Sequence, residues 1–308
     1  MKKYYVIALL VGATLLSLVG CSKTEELSSN SSIVDTNTPL NDFDYWLEKY
    51  YLSEYNIQFA YRYSDILVDM DTTLTPADYE ESILLAKLTL HLVMGAYDEH
   101  TGSADFMKTY FPKLIQLVGS PSYNDDGSVV LGEAEGGKAI FLYDVNTLSG
   151  VYNQNSVAAL NDSYFHTMHH EFAHILHQTK PYSTEYESYS SSLYVGSDCF
   201  ATYTTDAAAL QVGFVTRYSA TNADEDFVEI LSTYITNTES YWESLMAVAE
   251  TVGDDGVKAG GRVILEQKLD IIRSYLLSSW GIEMDELRDI ILRRQTEVWD
   301  FDYSLSLE

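Results

Sequence analysis

The chain has 308 residues, 46% of them hydrophobic and 13% aromatic, with a formal net charge of −28. That length buries a sizeable core, as one large domain or two intimate ones. The acidic balance argues against nucleic acid as a partner, which needs a basic face, and against electrostatic adhesion to anionic lipid; it reads as a soluble acidic surface.

In chain order, Lys2 and Lys3 precede an apolar run from Val6 to Val19 that is too short for a membrane span. Residues 1–20 therefore read as a targeting segment. The run ends in Leu18-Val19-Gly20-Cys21, which is similar to a bacterial lipobox, where the Cys is lipidated and becomes the mature N-terminus. An ordinary secretory signal with an incidental Cys is the bland alternative. Ser22-Lys-Thr-Glu-Glu26 resembles the acidic export signal of surface lipoproteins in Bacteroidota-type bacteria. Residues 21–40, rich in Ser, Thr, Asn and Glu, read as a flexible tether. If Cys21 carries lipid, Cys199 is the only thiol left, and a small buried thiol is the expectation for it.

A folded domain is expected over residues 41–308, strand-rich to about 150, with the helical part that will carry the chemistry from about 160. Phe43, Trp46, Leu47 and Tyr50 recur at helical spacing, and Asn56 to Tyr63 alternates like a strand. Thr75-Pro76 predicts a helix start, with Thr75 as N-cap and the helix running to about Ala96. Leu114–Val118, Ser128–Leu131 and Ala139–Val145 read as strands, with a turn at Asn124–Gly127. The last of these is expected to be an edge strand able to take an extended substrate by strand addition. Residues 181–203 are Tyr- and Ser-rich and read more as a solvated connection than as the wall of a cleft. Helices near 225–236, 238–250, 257–279 and 283–298 complete the chain.

One stretch carries the chemistry: His166-Thr-Met-His-His-Glu-Phe-Ala-His-Ile-Leu-His177. It contains His170-Glu171-Phe-Ala-His174, the H-E-x-x-H pattern of a zinc hydrolase helix. With a helix start placed at Asn161-Asp162-Ser163, the helical turn sets His166, His174 and His177 within about 40° of His170. Phe165, Met168, Phe172, Ile175 and Leu176 fall on the other side, so the helix has one apolar and one His-lined face. His170 and His174, one turn apart, suit one Zn²⁺, and Glu171 suits the general base beside the attacking water.

The third ligand is open at this level. The chain after His174 lacks the Gly-x-x-His continuation of metzincins. His177 lies one turn further on, too far along a rigid axis to share the metal comfortably, and reads as a residue behind the ligands or lining the cleft. The better candidate is a carboxylate on another helix: Glu225 and Glu229, one turn apart after a capping-competent Asn222. The competing reading is a solvated acidic helix start favoured by the helix dipole.

Tyr218-Ser-Ala-Thr-Asn-Ala-Asp-Glu225-Asp-Phe-Val-Glu229 resembles the corresponding stretch of anthrax lethal factor-type gluzincins, and His-Glu-Phe-Ala-His is similar to their H-E-F-G-H core, with Ala173 in place of Gly. The resemblance implies His170, His174 and Glu225 as ligands, Glu171 as base, Tyr218 as hydrogen-bond donor to the oxyanion and Glu229 behind a ligand His. Nearly the whole mature chain resembles the substrate import-associated zinc metallohydrolase lipoproteins of Bacteroidota, through the lipobox, His169-His-Glu-Phe-Ala-His-Ile-Leu-His-Gln178, Gly213-Phe-Val-Thr-Arg-Tyr218 and Glu225-Asp-Phe-Val-Glu229. That family implies a SusC/SusD-like outer-membrane import complex as partner and attachment to the membrane through the lipid anchor alone.

The expectation is thus an α+β zincin-like fold, a small sheet beside the H-E-x-x-H helix with a mainly helical C-terminal half. Its activity would be zinc-dependent hydrolysis of peptide bonds in a peptide or protein substrate at the outer-membrane surface. Two alternatives stand beside it: a non-enzymatic substrate-binding accessory lipoprotein, and a zinc amidase acting on cell-wall or glycan-linked substrates.

Overall fold

The computed structural model describes residues 39–62, 74–123, 129–130, 132–135, 138–251, 259–300 and 302–305. The targeting segment, Cys21, all but the end of the tether, and the turn at 124–127 lie outside the described residues. Leu40–Glu308 form one compact unit.

The architecture is α+β, mostly helical. The strands are β1 (Gln58–Ala60), β2 (Leu114–Leu117), β3 (Ser122–Tyr123), β4 (Val129–Val130), β5 (Gly132–Glu135) and β6 (Ala139–Leu142). The main sheet has the order β1-β2-β6-β5. β1, β2 and β6 run parallel, with Gln58 opposite Leu114 and Leu114 opposite Ala139, while β5 runs antiparallel to β6. β3 and β4 form a separate ribbon. All four residues of β6 are buried: Ile140 and Leu142 enter the main core and Ala139 and Phe141 a smaller cluster with Val118 and Tyr143. Burial on both faces is why this segment is a continuous apolar run.

The expectation of an open edge at Ala139–Val145 is therefore wrong. β6 is an inner strand, covered by β5, and the strand ends at Leu142 because Asp144 turns the backbone left-handed at φ 58°. β1 is likewise shorter than its alternating pattern suggests. Asn56 has φ 54° and so stands outside the strand, and Tyr63 lies outside the described residues.

The helices that frame the core and the site include α1 (Asp42–Leu47), α2 (Tyr79–Thr89), α3 (Gly95–Thr101), α4 (His166–Thr179), α5 (Ala223–Thr236), α6 (Glu239–Ala249), α7 (Gly261–Tyr275) and α8 (Met284–Glu297). Asn41 and Asp44 start α1 with a reciprocal capping box. α2 begins at Tyr79, not at Pro76. Thr75 and Pro76 are held outside the helix because the Thr75 carbonyl accepts from Gly119 N–H, and Asn146 takes the Pro76 carbonyl and the Asp78 N–H. A π turn over Leu90–Met94 joins α2 to α3, which Gly102 ends at φ 74°.

The start of the His-rich helix also differs. Its helical run opens at Val157, where the Ser156 hydroxyl accepts from Ala159 N–H, and passes through a π turn at Asn161–Phe165 into α4. Asn161 is a buried tie instead of a cap. Its side-chain amide donates to the Thr236 carbonyl at 2.8 Å and its oxygen accepts from Gln295 at 3.2 Å, linking α4 to the end of α5 and to α8.

The apolar face of α4 buries Met168, Phe172 and Leu176, continues the buried Phe165 of the π turn, and leaves Ile175 half-buried against the same core. Phe172 meets the edges and faces of Tyr97, Phe106 and Phe111 within 5.2–5.8 Å. α5 packs across α4 from the other side, and α8 and α7 support α5. The opposition of a core face and a His face thus decides which helix the His residues meet.

Candidate metal centre

The site is built where α4 and α5 cross. α5 starts crisply: Asn222 is extended and its side-chain oxygen accepts from Asp224 N–H (2.9 Å) and Glu225 N–H (3.0 Å). This cap fixes Glu225 in the first turn and Glu229 one turn later, both facing α4.

One oxygen of Glu225, Oε2, lies 3.2 Å from His170 Nε2 and 3.2 Å from His174 Nε2. Glu229 sits behind, with Oε1 2.8 Å from His170 Nδ1 and 3.1 Å from His166 Nε2, while its Oε2 accepts from the Thr216 hydroxyl at 2.7 Å. His177 Nε2 lies 2.9 Å from His174 Nδ1, and its own Nδ1 is 3.7 Å from Asp224 Oδ1. The Tyr182 hydroxyl donates to that same Asp224 oxygen at 2.6 Å. Each histidine of the H-E-x-x-H pair therefore has one ring nitrogen at Glu225 and the other held from behind, one by a carboxylate and one by an imidazole.

Glu171 is half-buried on α4, within electrostatic reach of His170 and of Tyr218. Tyr218, in a short turn before α5, is 40% exposed, with its ring centroid 6.2 Å from that of His170. Burial, together with Glu225, Glu229 and Glu171, pushes its phenol up, so it stays protonated and able to donate.

The electrostatics follow from this crossing. Burial pushes the His170 imidazolium down, but Glu225 and Glu229 outweigh it and hold its pKa at about 10. Burial raises Glu225, and His170 and His174 outweigh it, bringing the carboxyl to about 2. Glu229, buried yet facing His166 and His170, is held well below the usual range. His169 points the other way: it packs on Tyr97, and burial pushes it down to about 3. It belongs to the core.

The donor set fits zinc. Tetrahedral zinc with bonds of about 2.0–2.1 Å separates neighbouring ligand atoms by about 3.3 Å. The two 3.2 Å separations match that edge, and the ligand atoms of His170, His174 and Glu225 all fall within 4.8 Å of one another.

Several residues around the centre carry no role in the sequence reading. Thr216 lies in a loop, where no periodicity flags a hydroxyl that holds a buried carboxylate. Asp224 stands in the acidic first turn of α5, and Tyr182 sits in the 181–203 segment read as solvated connection; that reading is corrected for its first half, where Tyr182, Glu187, Ser191 and Tyr194 wall the site. Tyr186 is fully buried, and Tyr182 stacks on Phe227 with centroids 4.4 Å apart and planes 7° apart, which pulls the segment onto α5. Cys199 is a free, buried thiol that accepts from Thr221 Oγ1 at 3.6 Å.

An α+β chain built around an H-E-x-x-H helix, with an acidic helix laid across it, has the frame of a zincin-like metallopeptidase. Residues 36–285 match the family described as "Putative zinc-binding metallo-peptidase", and the chain belongs to that family. It is similar to the crystal structure of a "putative zinc-binding metallo-peptidase" from Bacteroides caccae, with 37% sequence identity, a TM-score of 0.71, and coverage of 85% of this chain and 94% of that one. No curated protein matches the chain.

Proposed function

We propose that this metallopeptidase-family chain hydrolyses peptide bonds with a single zinc held by His170, His174 and Glu225, in the manner of a gluzincin. The observation that carries the reading is that both Nε2 atoms of the H-E-x-x-H pair lie 3.2 Å from one Glu225 oxygen, beside Glu171. Zinc, when bound, supplies Lewis acidity that polarises the scissile carbonyl and acidifies the attacking water.

The chain's own residues supply the rest. Glu171 takes the proton from the attacking water and passes it to the departing nitrogen. The Tyr218 phenol donates to the oxygen that gains negative charge. Glu229 accepts from His170 Nδ1–H and is itself steadied by Thr216, which fixes the ring and its tautomer. His177 does the same for His174, with Asp224 and Tyr182 behind it.

The reading extends to a lipoprotein anchored through Cys21 at the outer-membrane surface, working beside a SusC/SusD-like import complex. Its support is the sequence of residues 1–26 and the family resemblance.

The test is zinc content and peptide turnover of the purified chain beside Glu171→Gln. The expected result is about one zinc per chain in both proteins, with peptide cleavage in wild type only. Zinc binding without turnover of a broad peptide library by wild type would instead favour the binding-only reading.

A further inference from the structure

Beside the metal centre, on the His174 side, a cavity of about 520 Å³ opens off the site. That is within the range of small-ligand pockets, roughly 300–1,000 Å³. His174 and Glu225 are part of its lining, so the cavity is continuous with the reacting region. Gln178, Glu187, Tyr194 and Asp224 are among the residues that line it, and among the described residues no Lys or Arg does. We propose that this cavity binds a cationic group of the substrate next to the scissile bond, and so makes the enzyme selective for it.

The argument is charge and shape together. Glu187 is exposed on the helical turn Glu185–Ser188, and Asp224 is held at the mouth by Tyr182, which donates to one of its oxygens. Tyr194 cannot swing freely, because its hydroxyl donates to the buried Asp226 at 2.9 Å. A fixed phenol ring beside carboxylates is suited to a cation, through its π face as well as its surroundings. The cation is the ammonium or guanidinium of a Lys or Arg side chain, or the α-ammonium of a peptide N-terminus.

This inference rests on the metallopeptidase reading, and two readouts separate them. Fluorescent peptides of one sequence carry Lys or its neutral isostere norleucine at each position in turn, with free and acetylated N-termini. Binding is measured with zinc-loaded Glu171→Gln, and cleavage with zinc-loaded wild type. At one position Lys is expected to bind about tenfold tighter than norleucine, a difference of about 1.4 kcal/mol. The ratio shrinks in high salt and approaches one when Glu187→Gln is added. A preference that follows the free N-terminus and vanishes on acetylation assigns the cation to the α-ammonium and supports the cavity equally.

Equal binding of Lys and norleucine peptides at every position, including no binding by either, overturns the proposal, as does a preference that Glu187→Gln leaves intact. Cleavage without selectivity sinks the cavity alone. Selective binding without any cleavage by wild type leaves the cavity standing and sinks the peptidase.

Discussion

Replacing Lys268 by Met removes one half of an ion pair with no solvent exposure on either side, Lys268 Nζ to Asp226 Oδ2 at 2.6 Å. Lys268 also donates to the Gly213 carbonyl at 2.7 Å, and Asp226 is left with hydroxyl partners such as Tyr194 but no cation once the ammonium is gone. Breaking such a buried pair from one side costs about 3–5 kcal/mol, because the remaining charge is stranded. Part of that cost is pH-dependent. Burial already pushes Asp226 up to about 6 against the pull of Lys268, and the variant pushes it further. A carboxyl whose folded pKa lies above its unfolded value binds its proton more tightly when folded. Its penalty is therefore relieved at low pH and grows as pH rises through that window. Urea denaturation should show Lys268→Met losing about 3–5 kcal/mol at pH 8, and clearly less at pH 5. Adding Asp226→Leu should recover much of the loss, since an apolar pair of similar volume is often as stable as the buried charges. A loss under about 1 kcal/mol, or one that does not change between pH 5 and pH 8, refutes the reasoning.

Four other outcomes bear on the centre itself. Glu225→Ala should weaken zinc binding, read by competition with a chelating dye, by more than the roughly 10–100-fold expected for His177→Ala; the reverse order removes Glu225 as a ligand. Tyr218→Phe should lower kcat by about 10²–10³ with little change in KM, and an unchanged kcat takes Tyr218 out of the mechanism. In the metal-free chain His170 holds its proton up to about 10, and zinc needs the neutral ring, so zinc affinity should rise nearly tenfold per pH unit between about 7 and 9. The metal-free stability runs differently. His170, raised above its ordinary 6.5, contributes fully below that value and loses its contribution as pH climbs to about 10; Glu225, lowered from 4.5 to about 2, contributes above 4.5 and loses it in acid. Thermal melts with chelator should peak between those limits, and a flat profile counts against the ion pairs.

Local periodicity made part of this legible before any coordinates. The helical turn alone puts His166, His170, His174 and His177 on one face and Phe165, Met168, Phe172, Ile175 and Leu176 on the other, and the protein folds that way, with Ile175 only half-buried. Helix ends were less legible because competing partners decide them. Thr75-Pro76 is a fair helix start until Gly119 and Asn146 claim its backbone. Asn161 is a fair cap until Thr236 and Gln295, far along the chain, bury it. Whether Ala139–Leu142 lies inside or at the edge of the sheet depends on β5, whose Gly132–Glu135 carries no strong strand pattern.

The acids show where sequence stops and structure begins. The chain has 46 of them, and Asp224-Glu225-Asp226 alone looks like any acidic first turn favoured by a helix dipole. Their fates differ because successive helix residues point about 100° apart. Asp224 faces the Tyr182 hydroxyl and stays exposed, Glu225 faces the imidazoles of α4, and Asp226 goes to Lys268 with no exposure at all. Glu229, one turn past Glu225, is 6% exposed and satisfied by His166, His170 and Thr216. Burying a carboxylate is tolerable only with such partners. Those partners come from α4, α7 and the loop before α5, so no window of sequence around residue 225 contains them. The four-residue spacing of Glu225 and Glu229 was readable because it matches the spacing of His170 and His174. The separate use of Asp226, which ties the same helix to α7, was not.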